Sequence, residues 1–231
     1  MKKYRKKNPL KRLVLSCCGI DKKFKRECDI TEKYLQELLI KQDNKCNYCK
    51  HILDINTGDK KLSQISVDRI NNKLGHIEGN CVFSCLFCNR AKNNMDEKYF
   101  IEFINVLKNN NANEIKNKYI QIIKINDQIH SLLSSCYKYD KKKKSDSKLI
   151  SSNEIKELFE KQNNCCSITG LPLINANIMK FPFKMSLDRI DNSKLHISGN
   201  CQLVCMAIQF GRGDKSVEEV KKYINEIRAI K

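Results

Sequence analysis

The sequence predicts an α+β fold built from two tandem copies of one small module. Three observations carry this. The same residues recur at a constant offset of 120 without gaps: Lys41-Gln42 and Lys161-Gln162, Asp68-Arg69-Ile70 and Asp188-Arg189-Ile190, His76-Ile77 and His196-Ile197, Gly79-Asn80-Cys81 and Gly199-Asn200-Cys201. Each copy reads as helix, strand, strand, helix, with an amphipathic helix closing it. The first copy also carries two Cys-x-x-Cys pairs, Cys46/Cys49 and Cys85/Cys88, a staple suited to a small core.

The elements follow in order. Residues 1–29 read as a basic, irregular arm. Module 1 spans 30–110. Its first helix places Leu35, Leu38 and Leu39 on one face behind the N-cap Thr31. After a Cys-containing turn, the strand Ile65-Ser66-Val67 ends at Asp68-Arg69. A loop leads to a second strand after Asn80, and a helix starts at about Cys85. Phe100, Phe103, Ile104 and Leu107 form the apolar stripe of the closing helix. Residues 111–148 read as a helical linker and a Lys-rich segment. One helix is expected from 112 to about 137, with Ile115, Tyr119, Ile122, Ile129 and Leu133 as its stripe, and Lys138 to Lys148 as a solvated linker. Module 2 spans 149–231. Ser151 and Glu154 fit a capping box before Ile155, Leu158 and Phe159, a strand covers Met185-Ser186-Leu187, and Val220, Tyr223, Ile224 and Ile227 mark the last helix.

Composition narrows the partners. The chain has 231 residues, 44 Lys+Arg against 26 Asp+Glu, and a formal net charge of +18. That excess favours a polyanion and disfavours an ordinary metabolic enzyme. No apolar run is long enough to cross a bilayer, and the short run at Leu13-Val14-Leu15 does not make a signal peptide. The expectation is a soluble intracellular protein without a membrane partner. Cys-x-x-Cys spacing in a reducing compartment reads as metal ligation, so Cys46, Cys49, Cys85 and Cys88 are expected to hold structural Zn²⁺. Copy two keeps only Cys166 and Cys205 of the four. Thr169 and Ile208 stand at the other two positions, so its zinc site is degenerate.

Between the Cys pairs lie Ser66-Val67-Asp68-Arg69-Ile70-Asn71-Asn72, Gly75-His76, Gly79-Asn80 and then Asn89-x-x-Lys92. In this order the segment from about 40 to 95 resembles the HNH endonucleases, the ββα-metal nucleases. The resemblance implies two strands and a helix gripping one catalytic Mg²⁺ or Mn²⁺, with Asp68 and Asn89 as ligands and Asn80 orienting the site. A divalent ion with hard oxygen ligands keeps positions open for a scissile phosphate. The family's water-activating His is Arg69 here and Arg189 in copy two. An Arg stays protonated and serves better as a phosphate clamp. His76 is then a candidate base, with Tyr48 and His51 weaker ones. Arg90 and Lys92 could meet the nucleic-acid backbone. Copy two keeps Asp188, His196 and Asn200, has Gln209 for Asn89 as a longer metal ligand, and has Arg212 for Lys92 as its backbone contact.

The expected function is therefore a metal-dependent endonuclease hydrolysing double-stranded DNA, working as a monomeric pseudo-dimer with a weakened second module. The alternatives are a non-catalytic, nuclease-derived DNA-binding or regulatory protein, and an RNA-directed nuclease.

Overall fold

The structure is a computed structural model and describes residues 8–56, 60–119, 125–140, 148–174 and 180–230. The chain mixes helices with two small antiparallel sheets. Helices α1 (Pro9–Lys23) and α2 (Glu32–Lys41) precede strands β1 (Ile65–Arg69) and β2 (Cys81–Cys85). Helices α3 (Leu86–Lys92), α4 (Glu97–Asn109), α5 (Ala112–Tyr119), α6 (Ile125–Asp140) and α7 (Ser152–Lys161) follow. Strands β3 (Met185–Arg189) and β4 (Cys201–Cys205) and helices α8 (Met206–Arg212) and α9 (Val217–Arg228) complete the chain. The two hairpins have the same register. Ile65 faces Cys85 and Arg69 faces Cys81, just as Met185 faces Cys205 and Arg189 faces Cys201.

Local chemistry sets the helix starts. Thr31 accepts from Tyr34 N–H at the head of α2, and Ser151 and Glu154 form the expected capping box on α7. From residue 8 onward the basic arm is not irregular. Asn8 caps α1 by accepting from Lys11 N–H, and Pro9 occupies the first turn, where its missing N–H costs nothing. Leu10 and Cys17 turn the helix toward the core, which ordered the segment that charge alone marked as loose.

The single helix expected over 112–137 is two segments, α5 and α6, with residues 120–124 outside the described ones. They serve different neighbours. Lys118 and Tyr119 of α5 hydrogen-bond Glu102 on α4, whereas Gln128 of α6 donates to Met185 O on β3. The expected Ile122 of the stripe and Lys141 to Lys144 of the linker also fall outside the described residues.

The internal likeness reaches further than the fixed offset. Near its C-terminus α1 carries Asp21, whose carboxylate binds both the backbone N–H and the ring of His76. The last residue of α6, Asp140, does the same for His196. Cys17 and Cys136 are buried at matching positions of the two helices. Here the offset is 119, so one residue has slipped between the helix and the rest of the copy.

The copies meet along matching elements. Ala91 on α3 and Gly211 on α8 occupy equivalent positions. A Cβ on Gly211 would lie 3.1 Å from Ala91 Cβ and 2.6 Å from the Phe87 ring. The contact therefore sits on an approximate twofold axis. Phe87 meets Tyr223 and Phe103 meets Phe183, with centroids 5.7 and 5.2 Å apart, and Arg228 Nε on α9 donates to Leu107 O on α4 at 3.1 Å. One continuous apolar core results.

The β1–β2 loop packs beneath the segment between α1 and α2. Asp29 N–H donates to His76 O, Glu78 N–H donates to Asp29 Oδ1, and Cys18 and Cys28 are joined by a disulfide. Gly75 touches this segment so closely that a Cβ there would lie 1.8 Å from Glu27 O, a backbone atom. Copy two has a buried Leu195 at the same position. Gly75→Leu is therefore expected to destabilise the chain by at least about 2 kcal/mol, read as a lower thermal midpoint; an unchanged midpoint would contradict this close approach.

Candidate metal centre and strand-end site

Four cysteines of copy one form an enclosed cluster. The sulfurs of Cys46, Cys49, Cys85 and Cys88 all lie within 4.8 Å of one another, and all four residues are fully buried. The Cys49 and Cys85 sulfurs are 3.8 Å apart. A tetrahedron with metal–sulfur bonds of ~2.3 Å has an edge of about 3.8 Å, the Cys49–Cys85 spacing, so the cluster suits a metal such as zinc. The sequence makes this cradle locally. Cys46 N–H donates to His51 O and Lys50 N–H to Cys46 O, which closes a tight turn with Lys50 at φ 64. Cys85 caps α3, its sulfur accepting from Cys88 N–H at 3.3 Å. Burial acts to raise the Cys46, Cys85 and Cys88 thiols. The neighbouring sulfurs nevertheless pull Cys46 well below its usual value while Cys85 and Cys88 are pushed well above theirs.

Copy two keeps the turn without the ligands. Cys166 N–H donates to Leu171 O and Gly170 N–H to Cys166 O, with Gly170 at φ 73 where copy one strains a lysine. Ile208, fully buried, stands where copy one has Cys88, and Thr169, also buried, where it has Cys49.

At the end of β1, Asp68 is buried and heavily engaged. Its Oδ2 accepts from Tyr48 Oη at 2.7 Å and lies 3.0 Å from Lys92 Nζ. Lys92 is completely buried on α3 and also donates to Arg69 O at 2.8 Å, so one ammonium ties the helix to the strand end. Tyr48 reaches a second carboxylate, Glu97 Oε1 at 3.2 Å. Burial and the two carboxylates push the Tyr48 phenol far up, so it stays protonated. All of Asp68's contacts fall on Oδ2; among the described residues nothing donates to its Oδ1. Asn89, on α3, donates through Nδ2 to Ser66 Oγ and Val67 O. These acceptors fix the amide, and its oxygen takes no partner among the described residues.

The other sequence-selected residues of copy one organise the loop. Arg69 Nη1 donates to Asn72 O and Leu74 O. Asn80 Nδ2 donates to Asn71 O and Gly75 O while its Oδ1 accepts from Asn71 N–H. His76 is buried against Asp21, which Arg26 also pairs, and does not line the cleft beside Asn89. Burial lowers the His76 imidazolium despite Asp21, and the donors around Asp21 bring that carboxyl below its usual range despite its burial. His51 contacts Tyr223 and Glu226 instead.

Copy two repeats the loop clamps. Arg189 donates to Asn192 O and Lys194 O, and Asn200 bridges Asp191 and Leu195. Asp188 binds Arg212 at very short range, and Arg212 also reaches Arg189 O. Two differences matter. Gln202 Nε2 adds a donor to Asp188 Oδ2 at 2.9 Å, and the Gln209 oxygen accepts from Ser186 Oγ while its nitrogen donates to Leu187 O. Burial raises the Asp188 carboxyl in spite of Arg212. Asp188, Arg189, His196 and Gln209 line one cavity of about 460 Å³, walled by α6.

Lys92 and Arg212 are not backbone contacts for nucleic acid. They are 0% and 1% exposed and spend their charge on the strand-end aspartates. Arg90 remains at the surface, 3.6 Å from Asp214, and lines an open cleft of about 950 Å³ with Arg69, Asn89 and Glu97. Tyr48, Glu97 and the paired Gln42/Gln162 are the residues that sequence reasoning missed or undervalued. Gln42 and Gln162 stand in for a strand by pairing with Phe83 and Leu203 backbone groups in both directions. Their signal was present in the repeated Lys-Gln.

No family model matches the chain, and no solved structure matches it. The chain is 27% identical over 227 aligned residues, 94% of its length, to uncharacterized protein R423 of Acanthamoeba polyphaga mimivirus, and spans 39% of that protein. No helix among the described residues is long and apolar enough to cross a membrane.

Since Arg212 does in copy two what Lys92 does in copy one, Lys92→Arg is expected to be tolerated. Lys92→Met leaves a buried carboxylate unpaired and is expected to cost about 3–5 kcal/mol in denaturant unfolding, most of it recovered by adding Asp68→Asn. Equal stability of Lys92→Met and the native chain would disprove the pairing.

Proposed function

We propose that this chain is a metal-dependent endonuclease that hydrolyses DNA phosphodiesters, with the chemistry in the first copy and DNA binding in the second. One observation carries the reading. Asp68 and Asn89 are each pinned through one atom, Oδ2 and Nδ2, which leaves an oxygen of each uncommitted on adjoining strand and helix. Such support from a surrounding layer is what holds metal ligands in place. The two oxygens suit a hard divalent cation, Mg²⁺ or Mn²⁺, which would supply charge neutralisation at the phosphate. Arg69 and Arg90, which line one cleft with Asn89, supply charge for the phosphate backbone, in keeping with the net charge of +18. In copy two the oxygen corresponding to that of Asn89 is taken, Gln209 accepting from Ser186, while Gln202 adds a donor to the same Asp188 Oδ2 that Arg212 pairs. The Cys46, Cys49, Cys85 and Cys88 cluster holds zinc as a structural ion, and the chain works as an intracellular monomer that mimics a dimer.

A non-catalytic DNA-binding protein is the second reading. It is favoured by the Lys92 ammonium, which already neutralises Asp68.

Plasmid cleavage separates the two. With Mg²⁺ or Mn²⁺ the protein is expected to nick supercoiled DNA, Asp68→Ala to abolish nicking and Asp188→Ala to retain it. Binding without cleavage under any divalent metal would leave the second reading. Elemental analysis is expected to give about one zinc per chain, and chelation to lower the thermal midpoint; two ions per chain would refute the loss in copy two.

A further inference from the structure

We infer that Glu97 is the general base of the first copy, an inference that rests on the nuclease reading. The residue after the strand aspartate is Arg69, which cannot accept a proton and is tied to loop carbonyls. His76 is buried against Asp21, and His51 packs against the Tyr223 ring and pairs with Glu226. Among the residues lining the cleft with Asn89 and Arg69, the proton acceptors are Asp96 and Glu97. Asp96 is committed as the N-cap of α4, accepting from Lys98 N–H. Glu97 is half-buried and is held by Tyr48, whose hydroxyl also binds Asp68. The two carboxylates therefore stand on either side of one hydroxyl, and one of them faces the cleft.

Copy two supports the assignment independently. It keeps Asp188, Arg189, His196 and Asn200, yet has Ile168 for Tyr48 and Val217 for Glu97. The carboxylate and its holder are lost together in the copy whose helix amide oxygen is occupied, Gln209 accepting from Ser186. The loop clamps, which the fold needs, are retained.

In the step, a water oxygen bonds to phosphorus as its proton passes to Glu97. The bond from phosphorus to the leaving sugar oxygen breaks, and that oxygen takes a proton from solvent. Glu97 then releases its proton to solvent, so one water is consumed per cut. Arg69 and Arg90 across the cleft, Asp96 beside it, and Asp68 and Lys92 behind Tyr48 set the charge around Glu97.

The test is single-turnover cleavage of supercoiled plasmid with Mn²⁺, alongside DNA affinity by anisotropy in chelator. Glu97→Ala and Glu97→Gln are expected to cleave at least ~100-fold more slowly with affinity unchanged within about twofold. Added formate is expected to restore Glu97→Ala in a concentration-dependent manner and to leave Glu97→Gln slow; a residue that merely braces Tyr48 would give no such rescue. Variants cleaving within about threefold of the native chain would overturn the inference while leaving the nuclease reading intact. Recovery by raised Mn²⁺ rather than formate would make Glu97 a metal ligand and overturn it too. A native chain that cuts with no metal would remove both.

Discussion

A buried cation reaching from helix to strand end holds each half of this molecule together. Lys92 leaves α3, crosses to Asp68 and Arg69 O, and has no contact with solvent. Arg212 repeats this with Asp188 and Arg189 O. A two-stranded sheet has little stability alone, and a seven-residue helix has less. The ion pair fixes the angle between them, and the strand-end oxygens inherit that angle. Had the cation been missing, a desolvated carboxylate would oppose folding. The residue that most resembles a DNA contact in the sequence is thus a part of the scaffold.

A second layer of constraints acts on the β1–β2 loop. Arg69 and Asn80 satisfy its carbonyls, and Asp21 anchors His76 from a helix 55 residues away. These are the residues that recur most clearly between the copies. Their recurrence reflects backbone groups that would otherwise be buried without partners. Repetition inside the chain therefore reports architecture first. The residues that differ between copies, Tyr48, Glu97, Asn89 and the two lost cysteines, are where chemistry has room to differ.

Much of this was legible beforehand. Helix stripes, capping residues, the Cys-x-x-Cys pairs and both hairpins are local patterns, and local periodicity reads directly from residue order. The equivalence of α1 and α6 was hidden by a one-residue slip, which breaks a comparison at fixed offset. The burial of Lys92 and His76 was hidden for another reason. Charge in a sequence carries no information on whether a distant carboxylate waits for it, and Asp21 and Asp68 could be assigned only once the chain was folded. Glu97 lies just past an N-cap, where an acidic residue is ordinary helix chemistry, so its second partner left no mark.

The two halves that cross at Ala91 and Gly211 belong to one covalent chain. In a dimer of identical subunits every substitution appears twice, so neither half can change alone. Here the halves are inherited together but altered singly. One could exchange two thiols for Thr169 and Ile208 and a free amide oxygen for a hydrogen-bonded one without its partner losing either. Joining the copies also removes any dependence of assembly on concentration, so the pair persists however dilute the protein becomes.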